Sequence, residues 1–390
     1  MTTVLDTPPL ALYVHFPWCV RKCPYCDFNS YAARDGFAED AYVEALGADL
    51  SAQAPAVRGR EVSSIFLGGG TPSLFSPRAM ARVLETVGRH LLLASDLEVT
   101  LEANPGTIER GRFAEYRAAG VNRVSLGAQS FDAERLRALG RIHSPEETRR
   151  AVEELHAAGI ANFNLDLMYG LPGQDAEGAE RDVREALLLA PAHLSHYQLT
   201  MEPGTVFAAR PPPLPEEEVI ERMLAVCEER LRVAGFSRYE VSGYATPGHR
   251  CRHNLNYWRF GDYLGLGAGA HGKLTQADAR EIWRSAQPRE PRRYLASAGA
   301  GAGNRRIVPA EDLPFEFMLN ALRLVEGFEA GLFARRTGLD WEAVRPTLDQ
   351  LVGRELILRE GMCYRASPLG LRFLNDVLTH FLPESRQTGG

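Results

Sequence analysis

The chain has 390 residues, 44 Lys and Arg against 50 Asp and Glu, and a formal net charge of −6. That length exceeds one simple core and predicts a large domain with a smaller one attached, while the acidic balance excludes a general binder of nucleic acid or anionic membrane. Met1–Pro9 is polar and proline-containing and no apolar run approaches the roughly 20 residues of a membrane span, so a cytoplasmic protein with reduced thiols is expected.

Residues 10–18 read as a strand that runs directly into Cys19, Cys23 and Cys26, spaced C-x3-C-x2-C. A closed structural zinc site takes four ligands, usually from two short pairs, and no second pair stands nearby. A protein-enclosed [4Fe–4S] cluster takes four cysteines, so three leave one iron open. The alternatives are a zinc loop or three unrelated buried thiols. The remaining cysteines, Cys227, Cys251 and Cys363, are scattered and read as ordinary buried or half-buried thiols.

Residues 37–50 have helical spacing, and Val62–Leu67 reads as a strand ending in Gly68-Gly69-Gly70-Thr71, where bare backbone comes close to something. The pattern then repeats: helix 77–92 and strand 97–103, helix 107–119 and strand 122–128, helices 132–139 and 145–158 and strand 162–169, helix 176–190 and strand 193–201. Such alternation predicts parallel strands with crossover helices, in an open sheet or a barrel. Polar residues gather at the strand ends, where barrels place their chemistry: Glu102, Gln129 and Asp166 are of this kind.

Pro211–Pro215 is a stiff connection to helix 216–234, and Tyr239–Tyr244 reads as a further strand. His253-Asn254-Leu255-Asn256-Tyr257-Trp258 follows, then a glycine-rich run ending in His271-Gly272. By spacing alone this is a polar turn before a tightly packed strand, with His253 and His271 hydrogen-bonded in the core. Residues 296–312, with alternating Ala and Gly, read as a flexible linker. Beyond it come helices near 314–326, 329–337 and 341–353, a hairpin at 356–364 and a helix near 368–381, the order of a winged helix. Over 311–390 nine basic residues face twelve acidic ones, so the footprint for phosphate contacts is missing and no nucleic-acid partner is expected.

The cysteine spacing, with Tyr25 before the last thiol, resembles the signature of the radical S-adenosylmethionine (SAM) superfamily. The resemblance covers residues 10–210 and implies an α/β fold, a partial (β/α)6 TIM-type barrel with a small C-terminal winged-helix-like α+β domain. It also implies a [4Fe–4S] cluster whose open iron is chelated by SAM, which the reduced cluster cleaves to a 5′-deoxyadenosyl radical. Within the superfamily the chain is most similar to the oxygen-independent coproporphyrinogen III oxidase family. There Tyr13, Tyr25, Gly69, Gly70, Thr71, Glu102, Gln129, Arg141 and Asp166 match positions that contact SAM. Glu102 suits the SAM ammonium, Asp166 and Gln129 the ribose hydroxyls, and Arg141 a carboxylate.

Two departures separate it from the oxidases. Phe28 stands where they carry a further cysteine, and the cysteine loop lies almost at the N-terminus. Both features match the haem chaperone branch, HemW, as does the H-N-x-x-Y-W motif of residues 253–258. That branch implies His253 as a candidate axial ligand of haem b, with Tyr257 and Trp258 covering a porphyrin face and the small residues at 265–272 letting backbone approach it. His15 is expected to pack or hydrogen-bond near the cluster. The expected domains are 1–210 (core), 211–298 (barrel extension carrying the haem motif), 299–312 (linker) and 313–390 (winged helix). The resemblance implies a chaperone with haem as cargo and haem-requiring acceptors such as respiratory enzymes, and it allows peripheral membrane association and a cluster-dependent homodimer. No catalytic residue is assigned. The alternative is the oxidase itself, which decarboxylates two propionates to vinyl groups.

Overall fold

In the computed structural model, which describes residues 4–33, 36–107, 111–299 and 303–383, six strands follow one another in sequence and in space. They are β1 (Leu10–Phe16), β2 (Glu61–Gly69), β3 (Leu92–Ala103), β4 (Arg123–Gln129), β5 (Phe163–Tyr169) and β6 (His193–Gln198), each parallel to its neighbour. All seven residues of β4 are buried, as expected of strands covered on both faces. The covering helices are α1 (Glu39–Gln53), α2 (Pro77–His90), α3 (Arg112–Ala118), α4 (Ala133–Ala138), α5 (Pro145–Ala157) and α6 (Ala176–Leu188). Their starts are written locally: the Ser76 hydroxyl accepts from Ala79 N, Asp175 accepts from Gly178 N, and Ser144 and Glu147 form a reciprocal capping box, which satisfies N–H groups the first turn leaves unpaired.

After α7 (Glu217–Val233) the chain forms β7 (Ser237–Arg238) and β8 (Gly243–Ala245), an antiparallel edge beside β6. It then crosses back through α8 (Arg252–Trp258) to β9 (Asp262–Leu266), which lies parallel to β1 on its free side. Three antiparallel strands complete that side: β10 (His271–Gln276), β11 (Glu281–Ala286) and β12 (Asn304–Ile307). The order β12-β11-β10-β9-β1-β2-β3-β4-β5-β6-β8-β7 has two free ends, so the barrel is partial.

Two expectations need correction. Tyr239–Tyr244 is not one strand: Glu240 turns inward, accepts from the Ser242 backbone N–H and pairs with Arg323 at 3.2 Å, which breaks the run into β7, a turn and β8. The expected linker 299–312 is largely built into the fold. Asn304–Ile307 forms edge strand β12, and Ala310–Asp312 is a helical turn; residues 300–302 lie outside the described residues. All four residues of β12 are exposed, so the strand is held by backbone pairing and carries no apolar pattern to betray it.

The C-terminal unit runs helix Leu313–Ala321, strand Phe328–Glu329, helices Ala330–Thr337 and Arg345–Gly353, then the hairpin Ile357–Glu360 and Cys363–Ala366. Phe328–Glu329 adds to the hairpin as its third strand, the winged-helix arrangement. The final helix is broken at Phe373 into Pro368–Arg372 and Leu374–Thr379. The core of this unit, around Phe317, Phe333, Leu348 and Val377, also takes in Leu5, Phe260 and Ile282 from the rest of the chain.

Candidate cluster and cofactor site

The cysteine loop begins where β1 ends. Trp18–Cys19 pairs in parallel with Tyr31–Ala32, and Tyr31 N donates to Pro17 O at 2.7 Å, so the loop is tied shut at its base. Inside it Cys26 N donates to Cys23 O at 3.1 Å, a turn that places two thiols on one side. The glycines after β2 form the other half of the base: Gly70 N donates to Phe16 O and Thr71 N to Trp18 O, both at 2.7 Å. A Cβ on Gly70 would stand 2.6 Å from Trp18 O, and one on Gly69, whose φ is +117°, would stand 2.5 Å from the His15 ring. These glycines are therefore required first by the packing of the cysteine loop.

Cys19, Cys23 and Cys26 border a cavity of about 410 Å³ at the C-terminal mouth of the strands. Tyr25, Gly69, Gly70 and Thr71 line it beside them, and Glu102, Gln129, Arg141 and Asp166 line it from β3, the end of β4, the segment after α4, and β5. Glu102 Oε2 accepts from Gly69 N at 2.8 Å; burial, with Asp166 nearby, pushes its carboxyl up to about 8. Asp166 accepts from Asn164 Nδ2 at 2.7 Å, and burial raises its pKa as well. Gln129 sits at φ +66° past a register shift in β4, and its Oε1 accepts from the Tyr197 hydroxyl at 2.7 Å. Strain of that kind, held by surrounding structure, is common at binding sites.

Whether these residues fit a cluster and a sulfonium ligand can be judged from their chemistry. All three cysteines are free thiols. Among the described residues no three His, Cys, Asp or Glu side chains close on a point for a single metal ion, whereas a cubane takes one thiolate on each of three irons. Arg141 reaches toward Cys23 Sγ at 3.8 Å, donates through Nη2 to Gly127 O at 2.7 Å, and keeps a buried Nε without a partner. A buried cation with an unused donor beside thiols and two carboxylates suits an anionic cluster and a zwitterionic ligand. The residues fit.

Tyr13 is placed differently. Its side chain faces a second cavity of about 650 Å³, which meets the first at Phe28, Gly69 and Glu102. Its hydroxyl donates to His15 Nδ1 at 2.9 Å, and His15 Nε2 donates to Asn29 O at 2.9 Å, so His15 braces the loop. Tyr257, Tyr263, His271 and Arg289 also line this cavity.

His253 does not reach it. The side chain is fully buried, with Nδ1 3.1 Å from Ser64 Oγ and Nε2 2.9 Å from the Tyr257 hydroxyl. Burial lowers its pKa to about 3, and with both nitrogens engaged it presents no lone pair to an iron. Trp258 points away, toward Arg323, whose guanidinium lies 4.4 Å from its ring centroid. Of the three haem-motif residues only Tyr257 borders the open space. Tyr197, Ser125 and Met168 also line the cofactor cavity and were missed. Tyr197 lies near the end of β6, so the strand-end rule pointed to it.

A family model described as the Radical SAM superfamily matches residues 13–186, and one described as the HemN C-terminal domain matches 308–373. The chain is 48% identical over 381 residues to the heme chaperone HemW of Escherichia coli, covering 98% of this chain and 100% of that protein. It is 44% identical to the heme chaperone HemW of Haemophilus influenzae, over 97% and 99% of the two chains. A mouse protein, "Radical S-adenosyl methionine domain-containing protein 1, mitochondrial", is 35% identical over 97% and 88%. Among solved structures, coproporphyrinogen III oxidase (HemN) from Escherichia coli superposes with a TM-score of 0.80 at 22% identity, covering 96% of this chain and 90% of that one, a likeness of fold.

Proposed function

This chain belongs to the heme chaperone HemW family of the radical SAM superfamily, and we propose on that premise that it binds haem b and hands it to haem-requiring proteins. The observation that carries the reading is the identity with chaperones along nearly the entire chain, joined to Phe28 at the place where the oxidases have a further cysteine.

In this reading Cys19, Cys23 and Cys26 hold a [4Fe–4S] cluster, and the cavity beside them holds SAM. When bound, such a cluster supplies an electron to the sulfonium. The protein's part is placement: Glu102 accepts from the ammonium, Arg141 pairs with a carboxylate, Asp166 and Gln129 accept from hydroxyls, and Tyr25 and Thr71 close the sides. Haem is the cargo, and Tyr257 contributes to the wall of its cavity while His253 stands behind it, fixing the Tyr257 hydroxyl.

Acceptors such as respiratory enzymes would be met from the cytoplasm, at the membrane surface where they reside. Pairing of two chains at the cluster would bring the cysteine loops together, where Val20 and Phe28 are exposed. Among the described residues no helix is long and apolar enough to cross a membrane.

The test is anaerobic reconstitution followed by haem titration, then incubation with SAM, a reductant and coproporphyrinogen III. Haem retention without porphyrinogen turnover is the expected result, together with a shift in size on gel filtration once the cluster is loaded. Vinyl product at useful turnover would replace this reading with the oxidase.

A further inference from the structure

We infer that Asn164 and His193 are positioning residues for the SAM ribose: a buried relay of hydrogen-bond donors, running from Tyr239 through His193 and Asn164, ends on Asp166 and holds its carboxylate ready to accept hydroxyls. The inference rests on the reading that the cavity beside the thiols holds SAM with Asp166 on its hydroxyls, and it names what stands behind that contact.

Asn164 and Asp166 are two apart on β5 and so share its inward face, while the pairing of β5 with β6 sets His193 beside Asn164 and Ser195 beside Asp166. Asp166 lines the cavity. Asn164, His193 and Tyr239 are each 1% exposed, and the first two sit at the starts of their strands, deeper in the barrel. Asn164 Nδ2 is 2.7 Å from both Asp166 Oδ1 and Ser125 Oγ, and Asn164 Oδ1 is 2.7 Å from His193 Nδ1 and 3.1 Å from Ser195 Oγ. His193 Nε2 lies 2.9 Å from the Tyr239 hydroxyl, in the turn between β7 and β8.

These contacts leave one arrangement of protons. A carboxylate only accepts, so the amide nitrogen of Asn164 faces Asp166 and its oxygen faces His193. That oxygen requires the proton on Nδ1, which leaves Nε2 as the lone pair to which the Tyr239 hydroxyl donates. Burial, with Arg123 nearby, holds the His193 pKa well below 6.5, so the ring is neutral at physiological pH. Burial also raises the Asp166 pKa, and the Asn164 donor opposes that rise. An Asn164 amide turned end for end would set an oxygen against the carboxylate; the imidazole, which does not border the cavity, fixes it the right way round.

The experiment measures SAM affinity by equilibrium dialysis on reconstituted full-length protein, with iron and sulfide per chain reporting whether each variant is folded. H193L fills the space without a donor and is expected to weaken SAM about tenfold, whereas H193N, whose amide nitrogen takes the place of Nδ1, should come within about threefold of wild type. Y239F removes one oxygen at the head of the relay and should cost about threefold; it decides the matter alone if H193L takes up less iron. The 2′,3′-dideoxyribose analogue of SAM has no hydroxyls for Asp166, so wild type and H193L should bind it alike, and H193L should add nothing to D166A. Unchanged SAM affinity in H193L or Y239F, a loss that the analogue shares, or H193N no better than H193L would each overturn the relay while SAM binding stands. If wild-type protein binds no SAM, or D166A binds it as wild type does, the reading of the cavity itself falls.

Discussion

Glu102 is a buried carboxyl that lines the cavity beside the thiols. Its carboxyl, buried and close to Asp166, titrates near 8, so in the free protein at neutral pH it is largely protonated. An arriving ammonium needs the carboxylate, and the proton must therefore leave on binding. Apparent SAM affinity should rise with pH by up to about tenfold per unit below that value and fall again above it, where the ligand's own α-amino group loses its proton. The variant E102Q should bind weakly with a profile flat below that value, and calorimetry in buffers of different ionisation enthalpy would count the proton released by the wild type. The same shift has a stability consequence. Between 4.5 and about 8 the unfolded chain has released this proton and the native one has not, so the native state loses stability as pH rises through that window. At this scale the sequence was informative about Glu102, Gln129 and Asp166, because strand ends and a motif placed them. For His253 spacing alone reads a hydrogen-bonded core residue, as found, but it cannot name the partner, Ser64 from β2, a contact between residues 189 apart that no local spacing encodes.

Elements are held at the site by a few close approaches. Gly70 lets the end of β2 lie against Trp18 O, and a methyl group there would stand 2.6 Å from that oxygen. G70A should push the cysteine loop off its base, costing about 1–3 kcal/mol; lowered iron and sulfide per chain after reconstitution, with a reduced urea midpoint, would be the readout. A second approach fixes α8. The buried Glu98 carboxylate accepts from Arg252 N at 3.0 Å and His253 N at 3.2 Å, at the start of that helix. E98A would leave those donors without a partner and should cost about 1–2 kcal/mol in chemical denaturation. Helix starts at Ser76, Ser144 and Asp175 could be read because their caps are local. Strand β12 could not, since Asn304-Arg305-Arg306-Ile307 carries the polarity of a loop and becomes a strand only because β11 offers an unpaired edge.

The whole molecule is less divisible than its domain order suggests. Alternating strands and helices, then a winged helix, made the two units legible, yet nothing in that pattern shows that Leu5, Phe260 and Ile282 are packed into the C-terminal core. Phe260 meets Phe317 edge to face at 5.7 Å, and Arg323 joins the units twice, stacking on Trp258 at 4.4 Å and pairing with Glu240 at 3.2 Å. Glu240 is buried and its other partner is Ser242, so removing the guanidinium leaves a poorly compensated carboxylate under the interface. Loss of one member of a fully buried pair costs about 3–5 kcal/mol; with the Arg323 side chain 30% exposed, solvent screening brings the expectation to about 1–3 kcal/mol. Because the two cores share residues, the wild-type protein should unfold in urea as one transition by tryptophan fluorescence and circular dichroism alike. R323A weakens the joint without touching either interior, so the two probes should separate, the winged helix melting first. Coincident curves at an unchanged midpoint would mean that the shared apolar residues hold the units together without the ion pair.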